Sequence, residues 1–132
     1  MASIFSKIVS GEIPSFKIME DENYLAFLDI TPIATGHVLV IPKLEVDYIF
    51  NMEDELYQGL FLFAKKVAPA IERAIPCKKI GVAIIGLEVP HAHIHLVPLQ
   101  TVGDINFEKP KMKVDQTELQ KTADKIVAQL AR

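Results

Sequence analysis

The stretch His91-Ala92-His93-Ile94-His95-Leu96-Val97-Pro98 constrains this chain more than any other. Successive side chains on a strand point to opposite faces, so the three histidines are expected on one face and Ala92, Ile94 and Leu96 on the other. At ~3.3 Å per residue the outer two stand about 13 Å apart along the strand axis, with His93 between them. An unperturbed imidazole has a pKa of about 6.5, so close neighbours resist being protonated together and favour neutral rings at pH 7. A neutral imidazole can be a nucleophile, a base or a metal ligand. Spacing alone leaves three readings open: a solvated strand face, a zinc site built on alternating histidines, and a histidine that attacks a phosphoryl centre while its neighbours handle protons and charge.

The pattern around this strand predicts an α+β domain. Ser3 opens a short helix with Ile4, Phe5, Ile8 and Val9 at helical spacing, ended by Gly11. After Ile13-Pro14, Lys17 to Glu20 and Tyr24 to Asp29 form a hairpin around Asp21-Glu22-Asn23. A loop from Thr31 to Gly36 leads into a central strand, His37 to Ile41, closed by Pro42. Between Met52 and Ile75, Leu56, Leu60, Phe63, Val67, Ala70 and Ile71 form one stripe of the longest helix. Pro69 predicts a kink or break there. Lys79 to Ile85 reads as a buried strand and His91 to Pro98 as another, making a five-stranded, mainly antiparallel sheet covered on one face by the long helix. A polar loop, Thr101 to Val114, leads to a C-terminal helix, Gln116 to Leu130.

Charge and cysteine content narrow the function classes. Lys and Arg number 14 against 17 Asp and Glu, with no basic run, which argues against a polymeric nucleic-acid partner. Cys77 is the one cysteine, so no internal disulfide or Cys-x-x-Cys zinc clip exists, and a reducing compartment is expected. No signal-peptide pattern or membrane-length apolar window occurs, so a cytoplasmic location and no membrane partner are expected. The 132 residues suit one domain. A mean hydropathy of +0.25 suggests a buried oligomer interface.

The run His91 to Val97 resembles the histidine triad motif, His-φ-His-φ-His-φ-φ with φ apolar, of the histidine triad (HIT) superfamily. Ile4-Phe5-Ser6-Lys7-Ile8, Gly11-Glu12-Ile13-Pro14, Ala26-Phe27-Leu28-Asp29-Ile30-Thr31-Pro32 and Gly36-His37-Val38-Leu39-Val40-Ile41-Pro42-Lys43 resemble its N-terminal blocks in order and spacing. The likeness covers roughly residues 3 to 98 and is strongest to the nucleotide-binding branch of phosphoramidases and their bacterial relatives. It implies a HIT-like α+β fold, a single HIT domain over 1–132, and a homodimer with a continuous ten-stranded sheet. It further implies hydrolysis of purine nucleoside 5′-phosphoramidates or related AMP conjugates.

By that resemblance His93 attacks the α-phosphorus, a nucleotidyl-histidine forms, and water releases the monophosphate; His95 contacts the phosphate and assists the leaving group, and His91 and His37 complete the cluster. A covalent route divides one difficult displacement into two easier ones. Asp29 resembles a ribose-binding acid, since a carboxylate accepts from two adjacent hydroxyls; a loop cap beside Thr31-Pro32 is its other reading. Ile4, Phe5, Ile8, Phe27, Ile30 and Leu39 match base-pocket positions, with Leu28 grouped beside them. Core packing is the alternative, above all for Ile8, Ile30 and Leu39.

Two departures stand out. Where relatives place polar groups around the phosphate, this chain has the shorter Ile84-Ile85-Gly86-Leu87-Glu88-Val89-Pro90. Glu88 falls at a nucleotide-contacting position, and a carboxylate facing a phosphate at ~4 Å costs about 1 to 4 kcal/mol. Some bacterial relatives bind zinc through N-terminal cysteines and a later histidine; here Ser3, Ser6 and Glu45 stand instead, so no structural zinc and no cofactor are expected. The rival functions are a dinucleoside polyphosphate hydrolase, a nucleotide-binding module with weak or no catalysis, and a zinc protein using the triad.

Overall fold

The computed structural model describes residues 2–130. Helix α1 (Ile4–Ser10) precedes strands β1 (Lys17–Glu20), β2 (Tyr24–Leu28) and β3 (Val38–Pro42). Helix α2 (Asp54–Ala74) then leads to β4 (Lys79–Ala83), β5 (Ile94–Leu99) and helix α3 (Gln116–Gln129). The sheet order is β1-β2-β3-β5-β4, and each neighbouring pair is antiparallel. The expected α+β, five-stranded fold is present.

Alternation along the strands divides the core. Ala26, Leu28, Val38, Val40, Ile94 and Leu96 face Leu60, Phe63, Val67 and Ile71 of α2. Leu119, Ala123 and Ile126 of α3 join the same cluster, so this helix covers the sheet beside α2. On the other face α1 buries Phe5 and Ile8 against Leu25, Phe27, Leu39 and Ile41. Fully burying a side chain of this size stabilises the fold by about 1.5–3 kcal/mol, so either layer outweighs local helix propensity.

Helix α1 is short and depends on its ends. Ser3 Oγ accepts from the Ser6 N–H at 3.0 Å, and Gly11, at φ +87°, takes the left-handed conformation that closes the helix. Gly59 of α2 serves a close approach instead: Tyr24 reaches across from β2 to donate to the Leu56 carbonyl at 3.0 Å, and a Cβ on Gly59 would overlap the tyrosine ring and hydroxyl.

Three local expectations change. Helix α2 runs unbroken through Pro69; Pro69 and Lys65 both lie on the exposed face, where water can bond the carbonyl that proline leaves free. The segment from Lys79 is an edge strand rather than a buried one, ends at Ala83, and leaves Val82 55% exposed, because β5 returns between it and β3. The triad segment enters the ladder at Ile94, with His91 and His93 on the approach.

Candidate active site

The sheet order brings the fourth histidine to the other three. His37 lies one residue before β3, and Val38 pairs with Leu96 and Leu39 with His95. The preceding loop is closed by the His37 N–H donating to Ala34 O at 3.1 Å and the Asp29 N–H donating to His37 O at 3.0 Å. Gly36 makes the entry at φ +89°, where a Cβ would stand 2.9 Å from Ile75 Cγ1. His37 and His91 are 1% and 0% exposed, His93 and His95 6% and 8%.

Hydrogen bonds define the tautomer of each ring. His37 Nδ1 accepts from the Ile33 N–H at 3.2 Å, so in the neutral ring the proton sits on Nε2, which donates to His95 Nδ1 at 2.9 Å. His95 then carries its own proton on Nε2. His93 Nδ1 lies 2.7 Å from the His91 carbonyl and must donate to it, leaving a lone pair on His93 Nε2. His91 donates from Nε2 to Pro42 O at 2.8 Å and accepts at Nδ1 from the Ser3 hydroxyl at 2.9 Å. Among the described residues Ser15 Oγ is the one side-chain polar atom both buried and unpartnered, so the Nε2 atoms of His93 and His95, which have no protein partner, reach solvent.

Burial enforces the neutral state that this chain of donors requires. It pushes His37 down to about 4, with Lys111 and His93 adding to the effect and Asp29 opposing it. It pushes His95 down to about 3, helped by His93, His37 and Lys111. His91 and His93 are also lowered, again chiefly by burial. The rings form a continuous row: Phe5 meets His93 edge-on at 4.9 Å and His91 at 5.9 Å, and His93 meets His95 at 4.8 Å. His95 meets His37 at 5.2 Å.

Ser3 and Ser6 work as hydrogen-bonding groups behind His91. The Ser3 N–H donates to Glu45 Oε1 at 2.7 Å and the Ser6 hydroxyl donates to the same oxygen at 2.6 Å. These two donors, Ser6 first, hold the Glu45 carboxyl down to about 2. Among the described residues, the group of three with ligand atoms close enough for one metal ion is Asp29, His37 and His95, within 4.8 Å. A metal there would have to displace the His37–His95 and Ile33–His37 hydrogen bonds. The three triad rings do not converge on one point, each being drawn to a different partner.

Asp29 takes the place of the loop cap, with its second carboxylate oxygen turned toward His37. Oδ1 accepts from the Thr31 N–H at 2.9 Å and the Thr31 hydroxyl at 3.3 Å, while Oδ2 lies 3.8 Å from His37 Nδ1. Phe5, Ile8, Phe27 and Leu39 form the small core beneath the histidines, whereas Ile4 and Ile30 are 51% and 59% exposed. Leu28 requires a correction: next to Phe27 in a strand, it faces the opposite side of the sheet and packs under α2. Glu88 extends into solvent with its carboxylate 3.7 Å from Lys111 Nζ. Sequence reasoning missed the segment that carries this lysine. Phe107 lies 4.6 Å from the His95 ring and 6.1 Å from that of His37, and its signal was a lone aromatic in a polar loop.

Residues 10–102 match the model of the HIT domain. The chain is 40% identical over 108 residues to the protein hit of Bacillus subtilis, spanning 76% of this chain and 73% of that one. It is 40% identical over 100 residues to an adenosine 5′-monophosphoramidase of Schizosaccharomyces pombe, spanning 74% of each. A HIT-like protein of Bartonella henselae superimposes with a TM-score of 0.84 at 30% identity, over 96% of this chain and 95% of that one.

Proposed function

Because the chain belongs to the HIT domain family, we propose that it hydrolyses purine nucleoside 5′-phosphoramidates or related AMP conjugates through a nucleotidyl-histidine. The observation that supports this best is the tautomer chain. His93 Nδ1–H is held by the His91 carbonyl, so its Nε2 lone pair is free, and the His37–His95 bond leaves an Nε2–H on the neighbouring ring. The His93 lone pair forms a bond to the α-phosphorus as the bond to the leaving amine breaks. His95 Nε2–H serves the phosphoryl oxygens and the departing nitrogen. Water then attacks the phosphorus and restores His93; over both steps one water is consumed, one hydrogen ending on the amine and the hydroxyl on the phosphorus. The phosphoramidase activity of the fission-yeast relative supports the same reading.

Asp29 Oδ2 would accept from the ribose hydroxyls, and Phe5, Phe27 and Ile8 would back the base. No helix among the described residues is long and apolar enough to cross a membrane, and the substrate class suits a cytoplasmic location. A homodimer joined at β4 would cover Val82, Ile85, Phe50 and Leu62, which are 46–71% exposed, and extend the sheet to ten strands.

The test is turnover of adenosine 5′-phosphoramidate by wild type and His93→Ala, with AMP binding measured on both. Turnover lost and binding kept is the expected result. Equal rates would remove His93 as the nucleophile, and binding without turnover in wild type would favour the nucleotide-binding module.

A further inference from the structure

A phosphate entering this site would meet four histidine rings held neutral by burial and by their hydrogen bonds. The loop beside it, Ile84 to Pro90, offers Leu87 and the acidic Glu88 rather than hydroxyl or amide side chains. None of these groups brings positive charge, whereas the segment between β5 and α3 carries Lys111. After a 3₁₀ turn at Val102–Asp104 it crosses back over the triad, laying Phe107 edge-on against His95 at 4.6 Å. The Met112 N–H then donates to Pro32 O at 2.9 Å, which pins the strap to the loop between Asp29 and His37. Lys111, the residue before this anchor, is thereby held at the mouth of the site, 3.7 Å from Glu88.

We propose that Lys111 is the cation that receives the substrate's α-phosphate, and that Glu88 is its resting counter-ion, displaced when a nucleotide enters. The proposal rests on the nucleotide reading above and adds to it a group from outside the matched residues 10–102. The Lys111–Glu88 pair is loose, with side chains 38% and 83% exposed, and so open a pair is readily exchanged. At 3.7 Å the pair is too far apart for a hydrogen bond, whereas an entering phosphate oxygen offers the ammonium a charge-assisted one. The charge of Lys111 lowers His37 and His95 and that of Glu88 raises His93, in keeping with the pair's place beside the triad. Glu88 carried on the released arm faces solvent, which resolves the apparent conflict of a carboxylate in a phosphate loop.

The experiment is calorimetric binding of AMP and of adenosine to wild type, Lys111→Met, Lys111→Arg and Glu88→Gln at two salt concentrations. Lys111→Met is expected to weaken AMP by about five-fold or more and to flatten its salt dependence, leaving adenosine unchanged. Lys111→Arg retains AMP affinity, and Glu88→Gln tightens it by removing the competing carboxylate. AMP binding to Lys111→Met as tight as to wild type, with wild type binding well, overturns this inference alone. AMP and adenosine weakened alike overturns it too, since that marks strap packing rather than phosphate contact. Wild type binding neither ligand overturns the nucleotide reading and this inference together.

Discussion

Acid should unfold this protein through its active site, and the size of the effect follows from two rings. His37 and His95 are pushed down to about 4 and about 3, whereas in the unfolded chain both return to about 6.5. Between those values the unfolded chain binds protons that the folded chain refuses, so stability is fully present above pH 6.5 and is lost as pH falls through 6.5 toward about 4. Each refused proton contributes a slope of about 1.36 kcal/mol per pH unit, so the pair approaches about 2.7. Integrated from pH 6.5 to 5, where the unfolded rings are still filling, the pair removes about 3 kcal/mol. That is a large part of the 5–15 kcal/mol or so that typically separates folded from unfolded states. Urea unfolding between pH 5 and 7.5 at fixed ionic strength measures it, with His37→Gln/His95→Gln as the comparison. Wild type should lose stability steeply below pH 6.5, and the double variant should lose about two protons' worth of that slope. A wild-type stability flat from pH 7 to 5, or equal slopes in both proteins, would refute the claim that burial keeps these rings neutral. The neutral state matters to the proposed chemistry, because a protonated His93 has no lone pair to offer.

Two further outcomes test the surroundings of the site. Ser3→Ala removes both the cap of α1 and the hydrogen bond to His91 Nδ1; urea unfolding should show a loss of about 1–2 kcal/mol, turnover should fall with it, and Ser3→Thr should restore both. If β4 is the dimer edge, sedimentation equilibrium should show a dimer for wild type and a monomer for Val82→Glu; a wild-type protein that stays monomeric at high concentration would discard that assembly.

Much of the fold is legible in local pattern. Short continuous apolar runs bounded by turn signals give β2 and β3, both buried on each face, the turn residues Asp21 and Asn23 give the hairpin, and the stripe from Leu60 to Ile71 gives α2, because a period of about 3.6 residues reports which helix face is buried. The resemblance of sequence blocks grouped Leu28 with the base pocket, whereas a strand sends neighbours to opposite faces and turns it away from Phe27. Proline chemistry foresaw a kink or break at Pro69, and no break occurs, since a proline on an exposed helix face leaves its orphaned carbonyl to water.

The sequence by itself determined that three histidines would alternate with apolar residues at one strand's entry, that a fourth would stand at the start of a neighbouring strand, and that an acid would follow Phe27-Leu28. The tertiary structure decided what those rings are. Which nitrogen of His91 and His95 carries the proton depends on Ser3, 88 residues from His91, on Pro42, 49 residues from it, and on His37, 58 residues from His95. Insertion of β5 between β3 and β4 created those contacts, as the return of the 101–114 segment set Phe107 against His95 and Lys111 beside Glu88. Local periodicity records burial, but the tautomers of His91 and His95 and the Lys111–Glu88 pair belong to groups far apart in sequence, which only the folded chain brings together.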